Sequence, residues 1–106
     1  MTDLNEMAAA SFEVLQQREA NGADVSSDRW GILKYMAGEV VEVADALHTY
    51  TFSGNLTNEM NLASEVADVI ICAFNFAALM GLDIEAAVEK KMRLNENRAR
   101  GIGDKL

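Results

Sequence analysis

The stretch "NLASEVADVIICAFNFAALM", residues Asn61 to Met80, decides the reading of this chain. It is among the most apolar segments present, yet it carries Glu65, Asp68 and Asn75. Helical spacing reconciles the two. Asn61, Glu65, Asp68, Cys72 and Asn75 follow one another at steps of four, three, four and three, so they form one stripe along a helix. Leu62, Val66, Val69, Ile70, Ala73, Phe74, Phe76 and Ala77 occupy the remaining faces. An ordinary surface helix has a single apolar face. A helix with a single polar stripe is expected to lie centrally, surrounded by partners, with the stripe aimed at something polar.

The flanking sequence supplies those partners. A first helix is expected from about Asp3 to Ala20, with Leu4, Met7, Phe12 and Leu15 near one face and Asn21-Gly22 as its stop. The loop "ADVSSD" follows, in which Ser26 or Ser27 can cap a long second helix from about Asp28 to Tyr50. Ile32, Met36, Val40, Val43 and Leu47 make its apolar stripe. "TFSGNLTN" breaks the pattern, with Thr57 or Asn58 as cap of the third helix. Gly81 is a C-terminal stop, and Asp83 caps a fourth helix to about Ala99. The pattern predicts an all-α, four-helix bundle-like fold in a single domain, 1–106. Residues 1–26 form an N-terminal helix and loop, 27–99 the functional helices, and 100–106 a fraying tail.

Composition bounds the function. The 106 residues, half of them hydrophobic, suit one small domain. Such a domain buries only roughly two-thirds of its unfolded surface, which makes self-association a natural supplement. Proline is absent, favouring helices over a turn-rich β fold. Cys72, the one cysteine, permits no intrachain disulfide, and the expected compartment is the reducing cytoplasm. The acidic start "MTDLNEM" lacks the basic and apolar regions of a signal peptide. The longest uninterrupted apolar run, Val69 to Phe74, is far short of the roughly 20 residues of a membrane span. A net charge of −8 disfavours binding to nucleic acid. Five of the nine basic residues nevertheless fall between Lys90 and Arg100, where an anionic ligand would find cations.

The acids pair up across helices. In the second helix "GEVVEVAD" puts Glu39 and Glu42 three apart, with Asp45 three further on. Like charges at this spacing cost a helix a few tenths of a kcal/mol. Two such pairs on neighbouring helices, partly shielded from water, call for a raised pKa or a bound cation. Hard oxygen ligands without His or Cys point to Mg²⁺, with Mn²⁺ as a substitute. In the fourth helix the apolar stripe Ile84, Ala87, Val88 continues as Lys91, Asn95 and Arg98. These polar residues suit either a helix end left in water or contacts to a metal-bound polyphosphate. Asn75 reads equally well as a core amide and as a ligand contact, while Cys72 reads as core packing.

Glu39-x-x-Glu42, then Glu65-x-x-Asp68, then "KMRLNENR" with Lys91, Asn95 and Arg98, resemble the MazG-like proteins of the all-α nucleoside triphosphate pyrophosphohydrolase superfamily. The likeness spans roughly Trp30 to Arg98, and includes Gly38 before Glu39 and "ADV" after Val66. Val41, where relatives often have glycine, and Cys72, where some are aromatic, depart from the pattern and bear on the base pocket. The resemblance implies Mg²⁺-dependent hydrolysis of a nucleoside triphosphate to the monophosphate and pyrophosphate. It implies Glu39, Glu42, Glu65 and Asp68 as metal ligands, with Glu39 or Glu42 also acting on the attacking water. Lys91, Asn95 and Arg98 would approach the nucleotide. Lys34, Trp30 and Tyr35 are further candidates for base or phosphate contacts, Trp30 also serving as a core or interface anchor. Competing readings are a phosphoribosyl-ATP pyrophosphohydrolase, disfavoured by the lack of an aromatic-His pair after the second motif, and a non-catalytic helical assembly module. A homodimer or tetramer is expected, because so apolar a third helix outruns the cover one small chain can give.

Overall fold

The computed structural model describes residues 3–102, and among them every regular element is a helix. Helices α1 (Leu4–Ala20), α2 (Arg29–Ser53), α3 (Leu56–Leu79) and α4 (Ile84–Ala99) follow in chain order. The expected fraying tail is described only as far as Ile102; its last four positions lie outside the described residues.

Each helix begins at an Asp or Asn whose side chain accepts a backbone N–H of the first turn. Asp3 accepts from Glu6, Asp28 from Trp30 and Gly31, Asn55 from Asn58, and Asp83 from Ala86. Two caps therefore differ from expectation: Asp28 replaces Ser26 or Ser27, and Asn55 replaces Thr57 or Asn58. Asp and Asn rank with or above Ser and Thr as caps, and here they stand nearest the first turn. Gly54 closes α2 with φ 57°, a left-handed conformation natural to glycine. The break between α2 and α3 thus narrows to Gly54-Asn55, and the two helices fold back on each other as a hairpin.

The seam of that hairpin shows how the acids are placed. Ile32, Met36, Glu39, Val43, Ala46 and Tyr50 of α2 are buried or half-buried, at steps of four, three, four, three and four. In α3 the matching series is Asn58, Leu62, Glu65, Val69, Cys72, Phe76 and Leu79. These alternating steps are those of helices crossing at a shallow angle. Val40 and Leu47, expected in the apolar stripe, are instead half exposed, at 52% and 50%. Glu39 takes the inward position beside Val40. The carboxylates therefore lie in the seam itself.

Helix α1 packs against α3, meeting it at Ser11 and Asn75, and Ala8 and Leu15 of α1 and Cys72, Asn75 and Ala77 of α3 are all buried. Helix α4 departs from the expected closed bundle. Its packing is chiefly against α1, and none of its residues is buried. Its start is tied to the start of α1: Asn5 Oδ1 accepts the N–H groups of Ile84 and Glu85, and Asn5 Nδ2 donates to Asp83 Oδ1 at 2.8 Å. Two helix N-termini meet there, and Asp3, Asp83 and Glu85 supply the negative charge that their positive dipole ends require. The radius of gyration is 16.5 Å, against about 13 Å for a compact domain of this length. The chain is an open arrangement of helices with apolar side chains on its outside, Phe52 and Leu56 among them.

Helix α3 is long and apolar enough to cross a membrane, with a mean hydropathy of 1.7 over its best 18-residue window. It packs instead between α1 and α2, with Glu65 and Asp68 turned toward Glu39. Carboxylates at mid-helix are costly in a bilayer.

Candidate functional site

Glu39 of α2 and Glu65 and Asp68 of α3 converge in the hairpin seam. One carboxylate oxygen of each lies within 4.8 Å of the others, and all three residues are half-buried. Helical geometry does this locally. The step from Glu65 to Asp68 keeps both on one face, and the antiparallel hairpin brings Glu39 opposite them. Burial, followed by the charges of Asp68, Glu39 and Glu42, holds the Glu65 carboxyl above the ordinary glutamate range. Three oxygen-donor side chains in mutual reach, one strained by its neighbours' charge, fit a hard divalent cation. Glu42 is more exposed and stands outside the triad, one helical turn beyond Glu39.

A groove of about 650 Å³ opens from the triad between α1, α2, α3 and the 21–28 loop. Glu39, Glu42 and Asp68 line one part; Arg18, Lys34, Tyr35, Cys72 and Asn75 also line it. The volume is in the range of small-molecule sites. On the other side, a smaller polar depression of about 350 Å³ is lined by Glu42, Asp45, Asn61 and Glu65 among others. Glu42 alone of the four motif acids borders both hollows.

The groove walls are held by specific contacts. Glu19 accepts the Ser27 N–H at 2.9 Å and the Ser27 hydroxyl, strapping the loop to α1 and lowering the Glu19 pKa. Gly31 admits the loop. A Cβ there would come within 2.6 Å of Ser26 Cβ, closer than packed carbon atoms approach. The Ser11 hydroxyl donates to Asn75 Oδ1 at 2.6 Å across the α1–α3 contact. That bond commits the Asn75 carbonyl to Ser11 and leaves its amide N–H₂ as a donor beside the groove. The Tyr35 hydroxyl is held above the usual phenol range, first by hydrogen bonding to Glu39 and then by that carboxylate's charge, with burial and Cys72 adding to it. Burial pushes the Cys72 thiol up, helped by Glu39 and Asp68, which suits an inert buried side chain.

Other residues singled out by sequence lie elsewhere. Lys91, Asn95 and Arg98 are exposed on α4 and line neither hollow, and Arg98 is within reach of Asn95 at 3.5 Å. Trp30 is 69% exposed and outside the groove. Lys34, Tyr35 and Asn75 are in it. Arg18 and Asp24 were not anticipated. Arg18 follows the buried Leu15 by one helical turn, a spacing so common that only the packing of α1 gives it meaning.

The model of the MazG nucleotide pyrophosphohydrolase domain matches residues 30–101. The chain belongs to this family of nucleotide pyrophosphohydrolases, whose members generally depend on divalent metal and act on nucleotides. No curated protein and no solved structure matches it.

Proposed function

We propose that the protein is a Mg²⁺-dependent nucleoside triphosphate pyrophosphohydrolase, converting (d)NTP and water to (d)NMP and pyrophosphate in the cytoplasm, with Mn²⁺ able to replace Mg²⁺. The observation that carries this reading is the Glu39–Glu65–Asp68 triad, within 4.8 Å, two of whose members, Glu39 and Asp68, line a nucleotide-sized groove in a MazG domain.

Glu39, Glu65 and Asp68 hold the metal through carboxylate oxygens, and Glu42 joins them or serves the water. The bound cation would supply charge neutralisation and polarisation at the phosphoryl oxygens. Glu42, exposed and bordering both hollows, would accept a proton from water at a carboxylate oxygen. The water oxygen bonds to the α-phosphorus as the bond to the bridging oxygen breaks, and pyrophosphate departs. Asn75 donates its amide hydrogens to the nucleotide. The working unit is the whole chain as one domain, paired at least as a homodimer and with a tetramer as the larger assembly. The half-exposed apolar residues of α2 and α3 support this pairing. In such a dimer Lys91, Asn95 and Arg98 would reach the partner's site, since they line neither hollow beside the acids of their own chain.

A panel of ribo- and deoxyribonucleoside triphosphates with Mg²⁺, products separated, tests the reaction. Monophosphate plus pyrophosphate is expected, lost on chelation. Diphosphate plus phosphate, or no turnover of any triphosphate, overturns the reading.

A further inference from the structure

We infer that Arg18 of α1 and Lys34 of α2 form the anion-binding end of the groove, holding the phosphates that leave as pyrophosphate. This rests on the proposed reaction and goes beyond it, because Arg18 lies outside the residues that match the family.

Charge in the groove motivates the assignment. Asp24, Glu39, Glu42 and Asp68 line it, and without the two cations its walls would repel any polyphosphate. A cation held by Glu39, Glu65 and Asp68 would offset part of the phosphate charge there. The rest of a triphosphate's charge then needs a positive group of the protein. Lys91 and Arg98 do not line this cavity; Arg18 and Lys34 do.

The positions of both cations are fixed by packing. Leu15, buried against α3, lines the same groove and shares a helix face with Arg18. Lys34 lies one turn ahead of Gly38 and Glu39 on α2, just after the capped start of that helix. Among the described residues neither cation makes an ion pair or hydrogen bond, so both heads remain available to a ligand. The Arg18 guanidinium lies near enough to Tyr35 to oppose the rise of its pKa, which sets the cation on the groove side of α2, beside the Glu39 partner. Arginine and lysine on the walls of a groove that hard carboxylates also line make a bipolar site. Its metal end and its cation end suit the two ends of a triphosphate.

Calorimetric titration of the full chain with inorganic pyrophosphate in Mg²⁺, alongside a nucleoside monophosphate, tests this. Arg18→Gln and Lys34→Gln should each weaken pyrophosphate by about tenfold, the loss of one charge-assisted contact. Monophosphate affinity should change by less than about twofold, and Mg²⁺ stabilisation should be unchanged. Arg18→Lys should recover part of the loss and Arg18→Met should not, whereas a packing role for the arginine would let both recover it. Both side chains are exposed, so the variants are expected to fold as wild type. If the double variant keeps wild-type pyrophosphate affinity and KM while the wild type releases pyrophosphate from triphosphates, the subsite is wrong and the proposed reaction stands. If the wild type neither binds nor releases pyrophosphate, both fall together.

Discussion

The acids of α2 and α3 and the cations of α4 are both written as short helical motifs, but the fold treats them differently. Glu39, Glu65 and Asp68 are drawn within 4.8 Å by a hairpin whose seam they occupy. Lys91, Asn95 and Arg98 are spaced just as regularly, yet they stand exposed on a helix with no fully buried residue that packs chiefly on α1. Intrachain packing thus fixes the acidic half of the motif and brings the cationic half to neither hollow. Lys91 and Arg98 line neither hollow beside the acids, so their part in the proposed reaction rests on bound nucleotide, a second chain, or both.

The strongest way to break this contrast is to remove an acid. Asp68→Asn and Glu65→Gln are each expected to lower turnover by at least about 100-fold, because losing a ligand exceeds the cost of disturbing its supports. Stability should move the other way in the absence of metal. Glu65 has a folded pKa raised by burial and by its acidic neighbours. The folded state therefore binds its proton more tightly than the unfolded state. Apo stability gains as pH falls through the raised value and loses that gain as pH rises through it. Thermal melting without metal should show Glu65→Gln more stable than wild type above that value, with the difference shrinking as pH falls. Stabilisation by Mg²⁺ should fade over the same range, as protons compete for the carboxylate. A Glu65→Gln variant with full activity and unchanged Mg²⁺ response would remove the triad from the chemistry.

The next test asks whether the α4 cations work across subunits. Lys91→Ala and Arg98→Ala should each cost about tenfold in kcat/KM while leaving Mg²⁺ binding intact, since neither cation can ligate a metal. Mixing Asp68→Asn with Lys91→Ala chains then separates the two geometries. If α4 serves the partner's groove, each mixed dimer has one site with both defects and one with neither, so roughly a quarter of wild-type activity returns after subunit exchange. If α4 serves its own groove, or none, mixing restores nothing. Sedimentation showing an active 11.6 kDa monomer would exclude the crossed arrangement outright.

The same contrast explains what could be read from the sequence. The four helices and their order were legible because apolar period and Asx or glycine punctuation are local signals, and the acid motif because its spacing and its likeness to a family coincide. The seam was legible only in part. Counting apolar residues assigns Val40 and Leu47 inward, whereas Glu39 occupies the inward position, since a buried charge is invisible to a hydrophobic pattern. The disposition of α4 was not legible, because it depends on Asn5 bridging to Asp83, Ile84 and Glu85 from the far end of the chain. Arg18 escaped for the same reason: its meaning comes from the angle of α1 over α3.

The smallest expected effect discriminates most finely between surface that this chain leaves open and surface that another molecule fills. Gly38 lies inside α2, one residue before Glu39, and lines the groove. A Cβ added there would meet no atom within 4 Å. Glycine in a helix interior costs about 0.5–1 kcal/mol relative to alanine, mainly through backbone entropy. On intrachain contacts alone, Gly38→Ala should raise apo stability by about that amount, a shift of a few degrees in Tm. A methyl in the groove beside Glu39 should at the same time raise KM for the nucleotide, with Mg²⁺ binding unaffected. A stability gain with unchanged kinetics would move the nucleotide away from this wall. A stability loss that deepens at protein concentrations where the chain self-associates would carry a different meaning: the space is open in one chain and closed by a second, and Gly38 is a point of close approach between subunits rather than the floor of a substrate site.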